Sequence, residues 1–496
     1  MDDHSPAQLE EISVGNDSSV PADGTALAIR GGALRVLGYA CGVLVSLATA
    51  AVLVRHLGIA GFGRYVTVTS LIALVGGVTE AGIVVYGIRE LISTDEHERP
   101  QLIGNLLAMR VALTLLGVAC ATLFAVAAGY REVLVLGALV AGAGLLVQVT
   151  ADVLSITLQA RLLLGRLTVA ELARRALTLV LTVSLALAGA GLLAFLGAST
   201  AAGIAGLALI AWMVRSHVRL RPAFDLRVWR ELLAETLPYA VALSIAAIYL
   251  YITVIIMSLL ATATQTGLFA TSFRVTQAAL AVPGLLLTAV FPLMSRRGLR
   301  GAGPGGTLGR LFTVAVIFGV WMSLATALGA GFIIDVIAGS HGRGSIPVLR
   351  IQGLMFIVSF VFTTNALYLV SIRRYRPLIV AGSSALVLNI ALALILIPSR
   401  GAQGGAIADV VTETLAAVGL TIAVMRSVPE HRISLSFVPA LVLACAASAV
   451  VLLLPIGSLA QALGATVIYF GVLLLTRAIP EEIVDAARRL RARPLS

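Results

Sequence analysis

The sequence predicts an all-α membrane protein that crosses the bilayer many times. Hydrophobic residues fill 59% of its 496 positions and charged residues only 12%, whereas a soluble domain is about 25% charged. Apolar runs of about 20 residues, the length of a membrane-spanning helix, recur along the chain. These runs are continuous and do not alternate, so a transmembrane β-barrel is excluded. The composition also excludes a soluble enzyme, a disordered chain and a disulfide-bonded secreted domain.

Fourteen apolar runs are predicted as membrane-spanning helices. The sixth run is the shortest, and we place the turn between the fifth and sixth runs near Gly197. The runs are 33–54, 66–88, 106–128, 133–158, 176–197, 198–214, 237–260, 266–294, 309–333, 348–371, 378–398, 402–425, 437–455 and 457–476.

The arginines predict the orientation of these helices. All 35 basic residues are Arg. With the N-terminus in the cytoplasm, 26 of them fall at the cytoplasmic side, 6 at the opposite side and three inside spans. Cytoplasmic loops carry the excess of basic residues in membrane proteins. Both termini are therefore expected in the cytoplasm of a multi-pass inner-membrane protein, and the 26 arginines are expected to set orientation and not to bind a ligand.

The order of polar and apolar segments divides the chain into six parts. Residues 1–32 form an acidic cytoplasmic tail without the basic start of a signal peptide. The other parts are an N-terminal six-helix half at 33–214, a cytoplasmic linker at 215–236, a C-terminal six-helix half at 237–425, two additional transmembrane helices at 437–476 and a basic cytoplasmic tail at 477–496.

A weak internal repeat supports the division into halves. A shift of 204 residues aligns Gly63–Ser70 with Gly267–Arg274, and each stretch opens the second span of its half. An even number of spans lies between them, so the two halves have the same orientation. Parallel repeats of this kind occur in secondary transporters, whose substrate sites lie between the repeats near the middle of the membrane.

Several short motifs, in order, resemble the polysaccharide flippases of the multidrug/oligosaccharidyl-lipid/polysaccharide exporter superfamily, the O-antigen type. The resemblance covers about residues 30–475. It rests on Leu57-Gly58, Gly61-Phe-Gly-Arg-Tyr65, Glu80-Ala-Gly82, Arg89-Glu90, Gly267-Leu-Phe, Arg274, Pro292-Leu-Met-Ser295, and Gly401-Ala-Gln-Gly-Gly-Ala-Ile-Ala408 with Glu413.

The resemblance implies a transporter that flips a polyprenyl-diphosphate-linked oligosaccharide from the inner to the outer leaflet by alternating access. Membrane lipid, and a polysaccharide polymerase or glycosyltransferases, would be its further partners. Many members of the family carry a polar or acidic residue in the seventh span. Here the stretch Tyr249–Met257 has no carboxylate, which puts any role of that acid in doubt.

Three arginines inside spans are candidates for binding the diphosphate. Charged residues in a span cost about 2.5–3.5 kcal/mol each, which marks them as functional candidates. Arg274 lies deepest, and Arg35 and Arg110 lie at the inner starts of their spans. Guanidinium groups bind phosphate oxygens through two parallel hydrogen bonds. The alternatives are an ion pair between Arg274 and Glu80, and snorkelling of Arg35 and Arg110 to the headgroups.

Four carboxylates inside spans are candidates for ion coupling: Glu80, Asp152, Asp409 and Glu413. Asp409 and Glu413 are four residues apart, which places both on one helix face. Such groups can take up and release a proton as a cavity alternates. The alternatives are helix–helix contacts with Ser, Thr or Arg and, for Asp152, pairing with Arg161.

Two tyrosines and a Pro-Gly pair are further candidates, for sugar binding and for a hinge. Tyr249 and Tyr251 are candidates for stacking on sugar rings, with packing as the alternative. Pro283-Gly284 lies in the middle of a long span, where a kink or hinge is expected. No phosphate-binding loop, cofactor motif, metal-ligand spacing or enzyme signature is present, and the arginines are not clustered as in a nucleic-acid-binding domain.

Three other functions remain open from the sequence. A multidrug cation antiporter of the same superfamily would favour an acidic cavity without arginine, against which Arg274 argues. A lipid II flippase would use the same phosphate chemistry. A non-transporting lipid-binding scaffold would need neither Glu80 nor Arg274.

Overall fold

The computed structural model describes residues 22–80, 82–161, 163–215, 223–295, 307–372, 374–427 and 436–478, and within these ranges the chain forms helices and no strands. Side chains are described in the same ranges except at 22–37, 235, 238, 281–295, 307–308 and 371. The helices are α1 Ala22–Glu80, α2 Ile83–Ser93, α3 Arg99–Ala127, α4 Glu132–Ala160, α5 Leu164–Leu187, α6 Leu192–Val214, α7 Leu226–Leu260, α8 Ala263–Ser295, α9 Thr307–Ala338, α10 Ser345–Gly353, α11 Met355–Ser371, α12 Arg376–Ser427, α13 Val438–Ala449 and α14 Ser458–Leu475.

Two of the longest helices are each two segments joined at a glycine. α1 bends at Gly58, where φ is 70° and ψ is 170°. α12 bends at Gly401, where φ is 53° and ψ is −130°. Residues with a Cβ rarely adopt such positive φ values, whereas glycine does so readily. Both bends fall between apolar runs that the sequence analysis treats as separate spans.

The turn between α5 and α6 does not lie near Gly197, and that prediction is wrong. α5 ends at Leu187 and α6 begins at Leu192. Gly189 provides the left-handed conformation that ends α5, with a φ of 71°. α5 also begins twelve residues before the predicted run at 176–197, because helix formation needs no apolar residue in its first turns. Both helices are therefore of ordinary length, 24 and 23 residues.

The architecture is that of a polytopic membrane protein. Within the described ranges, nine helices are long and apolar enough to cross a membrane, judged by length and composition. The stretches Gly38–Ser93 and Arg376–Arg426 each count once among them and contain the two bends. Many large apolar side chains are exposed on the outer surface, among them Leu187 and Val467, as expected where lipid surrounds the protein.

Among the described residues, the largest buried apolar cluster joins the two halves of the chain. It combines Phe62 of α1 and Phe195 of α6 with Met257 of α7, Phe269 of α8 and Ile334 of α9. Apolar packing therefore continues across the boundary between the halves, which brings α1 and α8 together.

α13 and α14 lie at the edge of this assembly, against α9. The indole Nε1 of Trp321 donates to Thr466 Oγ1 at 3.1 Å. The buried hydroxyl of Tyr469 donates to the carbonyl of Ile317 at 2.8 Å. These contacts place the last two helices beside the second half, which is compatible with their position outside the internal repeat.

Candidate functional site

The two halves meet most tightly where the aligned glycines of the internal repeat touch. A Cβ on Gly63 would lie 2.5 Å from the carbonyl oxygen of Ala263 and 2.7 Å from the backbone nitrogen of Gly267. A Cβ on Gly267 would collide with the carbonyl of Ile59. Glycine is needed here because the two backbones approach too closely for any side chain. Equivalent positions of the two halves are therefore in direct contact.

Two polar contacts lie near this glycine pair and also join the halves. The guanidinium of Arg55 donates to the carbonyl of Val336 at 2.6 Å. The hydroxyls of Tyr130 and Ser258 lie 2.5 Å apart. Together with the glycine contact, they join the two halves of the chain near the bend of α1.

A cavity of about 290 Å³ lies beside this glycine contact, with Phe62 and Tyr65, close to Gly63 in sequence, in its wall. Residues of α1, α5, α6 and α8 form its wall, so both halves contribute to it. Its lining combines hydroxyl groups and aromatic rings with three guanidinium groups: Val45, Ser46, Thr49, Ala50, Leu53, Phe62, Tyr65, Arg174, Arg175, Thr178, Ser199 and Arg274.

Arg174 and Arg175 share one carboxylate one helical turn earlier in α5. Arg174 donates through Nη2 to Glu171 Oε1 at 2.8 Å and through Nε to Oε2 at 3.1 Å. Arg175 donates through Nε to the same Oε1 at 2.8 Å and through Nη1 to the carbonyl of Gly42 at 3.1 Å. Two cations thus surround a single anion, and the group keeps one net positive charge on the cavity wall.

Arg274, the arginine that lies deepest in its predicted span, is on the cavity wall. Among the described residues, no carboxylate lies within ion-pair distance of it. The alternative of an ion pair with Glu80 is therefore not seen. Tyr251, on α7, is close enough to Arg274 to be affected by its charge.

Arg110 lies elsewhere, in the interior of the first half. Only 3% of it is exposed, and its Nη2 is 3.4 Å from the carbonyl of Gly76. The charges of Glu80 and Asp152 both act on it, although neither is within ion-pair distance. Asp152 accepts a hydrogen bond from Gln148 at 2.8 Å and does not pair with Arg161. Glu80 and Asp152 thus lie within electrostatic range of Arg110, and none of the three residues lines the cavity.

Asp409 and Glu413 lie together in the interior of the second half, as their spacing predicts. Thr253 donates to Asp409 Oδ1 at 2.6 Å, and Asn389 Nδ2 donates to the same oxygen at 3.0 Å. The hydroxyl of Tyr249 donates to Glu413 Oε2 at 2.7 Å. These donors are neutral, and no arginine is paired with either carboxylate among the described residues.

A second, more apolar cavity of about 460 Å³ reaches this pair. Tyr249 and Glu413 form its polar corner, and the remainder is apolar wall from α7, α11 and α12, including Phe362 and Ile379. Tyr249 therefore does not line the arginine cavity, where stacking on a substrate sugar was expected. Its hydroxyl instead donates to the half-buried carboxylate of Glu413.

Three candidates cannot be placed in this way. Arg35 lies in α1, and Pro283 and Gly284 lie in α8, but their side chains fall outside the described residues. The described backbone of α8 is helical from Ala263 to Ser295. The kink or hinge at Pro283-Gly284 stays a prediction.

The arginine pair of α5 was not predicted from the sequence. Arg174 and Arg175 fall between the predicted spans 133–158 and 176–197, in an expected cytoplasmic loop, whereas they lie within α5 and line the cavity. The signal was present, because Glu171 precedes the arginines by three and four residues, the spacing of ion pairs on a helix. Thr253 and Asn389 were also missed, since a single Thr or Asn in an apolar run carries no periodic signal.

Comparison with known families gave one match. The family model described as "Polysaccharide biosynthesis protein" matches residues 28–297, which is more than half of the chain. A comparison with curated protein sequences gave no match.

Solved structures with the same fold are transporters. The lipid II flippase MurJ in an inward closed conformation superposes with a TM-score of 0.71 at 12% identity, covering 90% of this chain and 99% of that one. An inward-facing multidrug resistance transporter of the MATE family, MOP superfamily, gives a TM-score of 0.60 at 16% identity, covering 78% and 94%. At such low identity these similarities show the fold, which is that of MOP-superfamily transporters and flippases.

Proposed function

The chain belongs to the polysaccharide biosynthesis protein family, and on this basis we propose that it flips a polyprenyl-diphosphate-linked oligosaccharide from the inner to the outer leaflet. The observation that carries the proposal is the arginine cavity between the halves. Arg174, Arg175 and Arg274 place three guanidinium groups around about 290 Å³. This set suits a diphosphate, because guanidinium stays charged away from water and binds phosphate oxygens in pairs.

The proposed topology has fourteen spans, with both termini in the cytoplasm. It counts the bent helices α1 and α12 as two spans each and rests on the excess of arginine in alternate loops. In this topology the bend at Gly58 faces outward, so the Gly63–Gly267 contact is an outer closure. Arg274 lies eleven residues from the outer start of α8, about 16 Å at ~1.5 Å per residue, near the middle of the bilayer.

The remaining lining suits the sugar part of such a substrate. Hydroxyl groups of Ser46, Thr49 and Thr178 and the ring of Tyr65 face the same cavity as the arginines. Hydroxyls exchange hydrogen bonds with sugar hydroxyls, and aromatic faces pack on sugar rings. The polyprenyl tail would remain in the bilayer while the head group crosses.

We place ion coupling at Asp409 and Glu413 in the second half. Asp409 is buried, Glu413 is half-buried at the corner of the apolar cavity, and both carboxylates are held only by neutral donors. Two such charges need a proton or a bound cation to be stable in the membrane interior. Glu80 and Asp152 have Arg110 near them, so we assign them to charge balance within the first half.

A cation antiporter is the second candidate function, and one observation favours it. The apolar cavity with Glu413 at its corner has the composition of a pocket for an apolar cation. The arginine cavity argues against it as the main function, since three guanidinium groups would repel a cationic substrate on its way between the halves.

Depletion of the protein from its native cell distinguishes these functions. The flippase proposal predicts that lipid-linked oligosaccharide accumulates on the inner leaflet and that surface polysaccharide is lost. An unchanged surface with new sensitivity to cationic drugs would contradict it and favour the antiporter. Loss of peptidoglycan synthesis alone, with lipid II accumulating, would show a lipid II flippase instead.

A further inference from the structure

We propose that Glu171 acts as an internal counter-anion: it occupies Arg174 and Arg175 while the cavity is empty, and the diphosphate of the substrate displaces it. This inference rests on the proposed function. Beyond that function, Glu171 would set how tightly the substrate is held and how fast the substrate leaves.

The contacts of Glu171 with the two arginines have the geometry expected of a phosphate. Glu171 forms with Arg174 the paired contacts that a phosphate would form, at 2.8 and 3.1 Å. Its Oε1 also accepts from Arg175 at 2.8 Å. One carboxylate thus occupies donors on both guanidinium groups. A diphosphate offers more oxygens and more negative charge than one carboxylate, so it can replace Glu171 at the same donors.

The side chains of Arg174 and Arg175 are held in place independently of Glu171. A Cβ on Gly206 of α6 would lie 3.1 to 3.3 Å from the stem carbons of Arg174. A Cβ on Gly42 of α1 would lie 3.3 to 3.5 Å from the side chain of Arg175. Both arginines therefore lie against glycine backbone on neighbouring helices. Removing the carboxylate leaves the two guanidinium groups in place and without their anion.

The ion pairs of Glu171 with Arg174 and Arg175 are accessible enough to be replaced by another anion. The side chains of Glu171, Arg174 and Arg175 are 38%, 28% and 34% exposed, respectively. Ion pairs with this access to water are weak, because solvent screens them. Displacing Glu171 therefore costs little when substrate arrives. When the cavity opens outward, the returning carboxylate competes with the diphosphate and promotes its release.

Three variants of the full-length protein in detergent test this inference, with inorganic pyrophosphate as the probe. In Glu171→Gln the competing charge is absent, and we expect pyrophosphate to bind about tenfold more tightly than to the wild type. Glu171→Asp keeps the charge and should restore an affinity near the wild-type value. Glu231→Gln is the matched control, because it removes an exposed pair of Glu and Arg at the start of α7, far from the cavity.

Flipping rates in proteoliposomes give the second measurement. For Glu171→Gln we expect KM and kcat to fall together, because substrate binds more tightly and leaves more slowly. A residue that only supports the fold would lower kcat without lowering KM. Unchanged or weaker pyrophosphate binding in Glu171→Gln, with loss of binding in Arg274→Ala, would overturn the inference while the proposed function stands. No binding of pyrophosphate to any of the proteins would overturn both.

Discussion

The two halves of the chain surround the carboxylates of their spans with opposite partners. In the first half, Glu80 and Asp152 lie within electrostatic range of Arg110, whose side chain is almost completely buried. In the second half, Asp409 and Glu413 are held by hydroxyl and amide donors, with no cation paired to them among the described residues.

This difference indicates that the charge cluster of the first half is structural, whereas the cluster of the second half can exchange a proton or a cation with solution. A buried carboxylate beside a fixed guanidinium has its counter-charge within the protein, and breaking such a group is costly. A buried carboxylate without one must obtain its counter-charge from solution, as a proton or a metal cation. We therefore propose that the second half responds to an ion gradient, whereas the first half holds its charge constant through the transport cycle.

The largest effect on stability is expected for Arg110→Met. The substitution removes the positive charge that acts on both Glu80 and Asp152, and leaves the two carboxylates without it. Thermal unfolding of the purified protein in detergent should show a clearly lower midpoint than wild type. Adding Asp152→Asn to this variant should recover part of the loss. A midpoint equal to that of the wild type would show that Arg110 does not balance these charges.

A smaller effect on stability, and a large one on coupling, is expected for Asp409→Asn. The amide can still bond with Thr253 and Asn389, so the fold should persist. Flipping in proteoliposomes should slow at least about tenfold, equivalent to ~1.4 kcal/mol, and lose its dependence on the ion gradient. Asp152→Asn should keep that dependence. If Asp409→Asn and Asp152→Asn respond to the ion gradient in the same way, the difference between the two halves is contradicted.

The smallest effect is expected for Tyr249→Phe. It removes one hydrogen bond from Glu413 and leaves the ring in place. Losing such a bond costs about 0.5–1.5 kcal/mol, so the ion concentration that gives half-maximal flipping should shift by roughly two- to tenfold. Tyr375→Phe, at an exposed position away from the cluster, is the control. Equal shifts in both variants would remove Tyr249 from the coupling site.

Much of the fold could be predicted from the sequence because lipid imposes a strong constraint. Spanning segments must be long, apolar and helical, and this pattern is visible in single runs. The pair of aligned glycines, Gly63 and Gly267, was visible as well, and the structure shows why both positions are Gly. The limits of α5 were missed because hydropathy marks the apolar part of a helix and not its polar start at Leu164.

The site was less accessible from the sequence. Arg274 could be identified because a charge deep in an apolar run stands out, and the structure places it on the cavity wall. Arg174 and Arg175 were counted with the orienting arginines, since a position near the end of an apolar run does not reveal which way a side chain points. Partners from separate helices, such as Thr253 with Asp409, depend on packing that no local pattern encodes.

The central claim is that the arginine cavity binds the diphosphate of a lipid-linked substrate, and Arg274→Ala tests it most directly. The measurement is the rate at which the variant flips a polyprenyl-diphosphate-linked oligosaccharide in proteoliposomes, normalised to the amount of folded protein. Arg227→Ala, at an exposed position, serves as the control. Loss of flipping in Arg274→Ala, with wild-type rates in the control, is the result we predict. Wild-type flipping by Arg274→Ala would contradict the account.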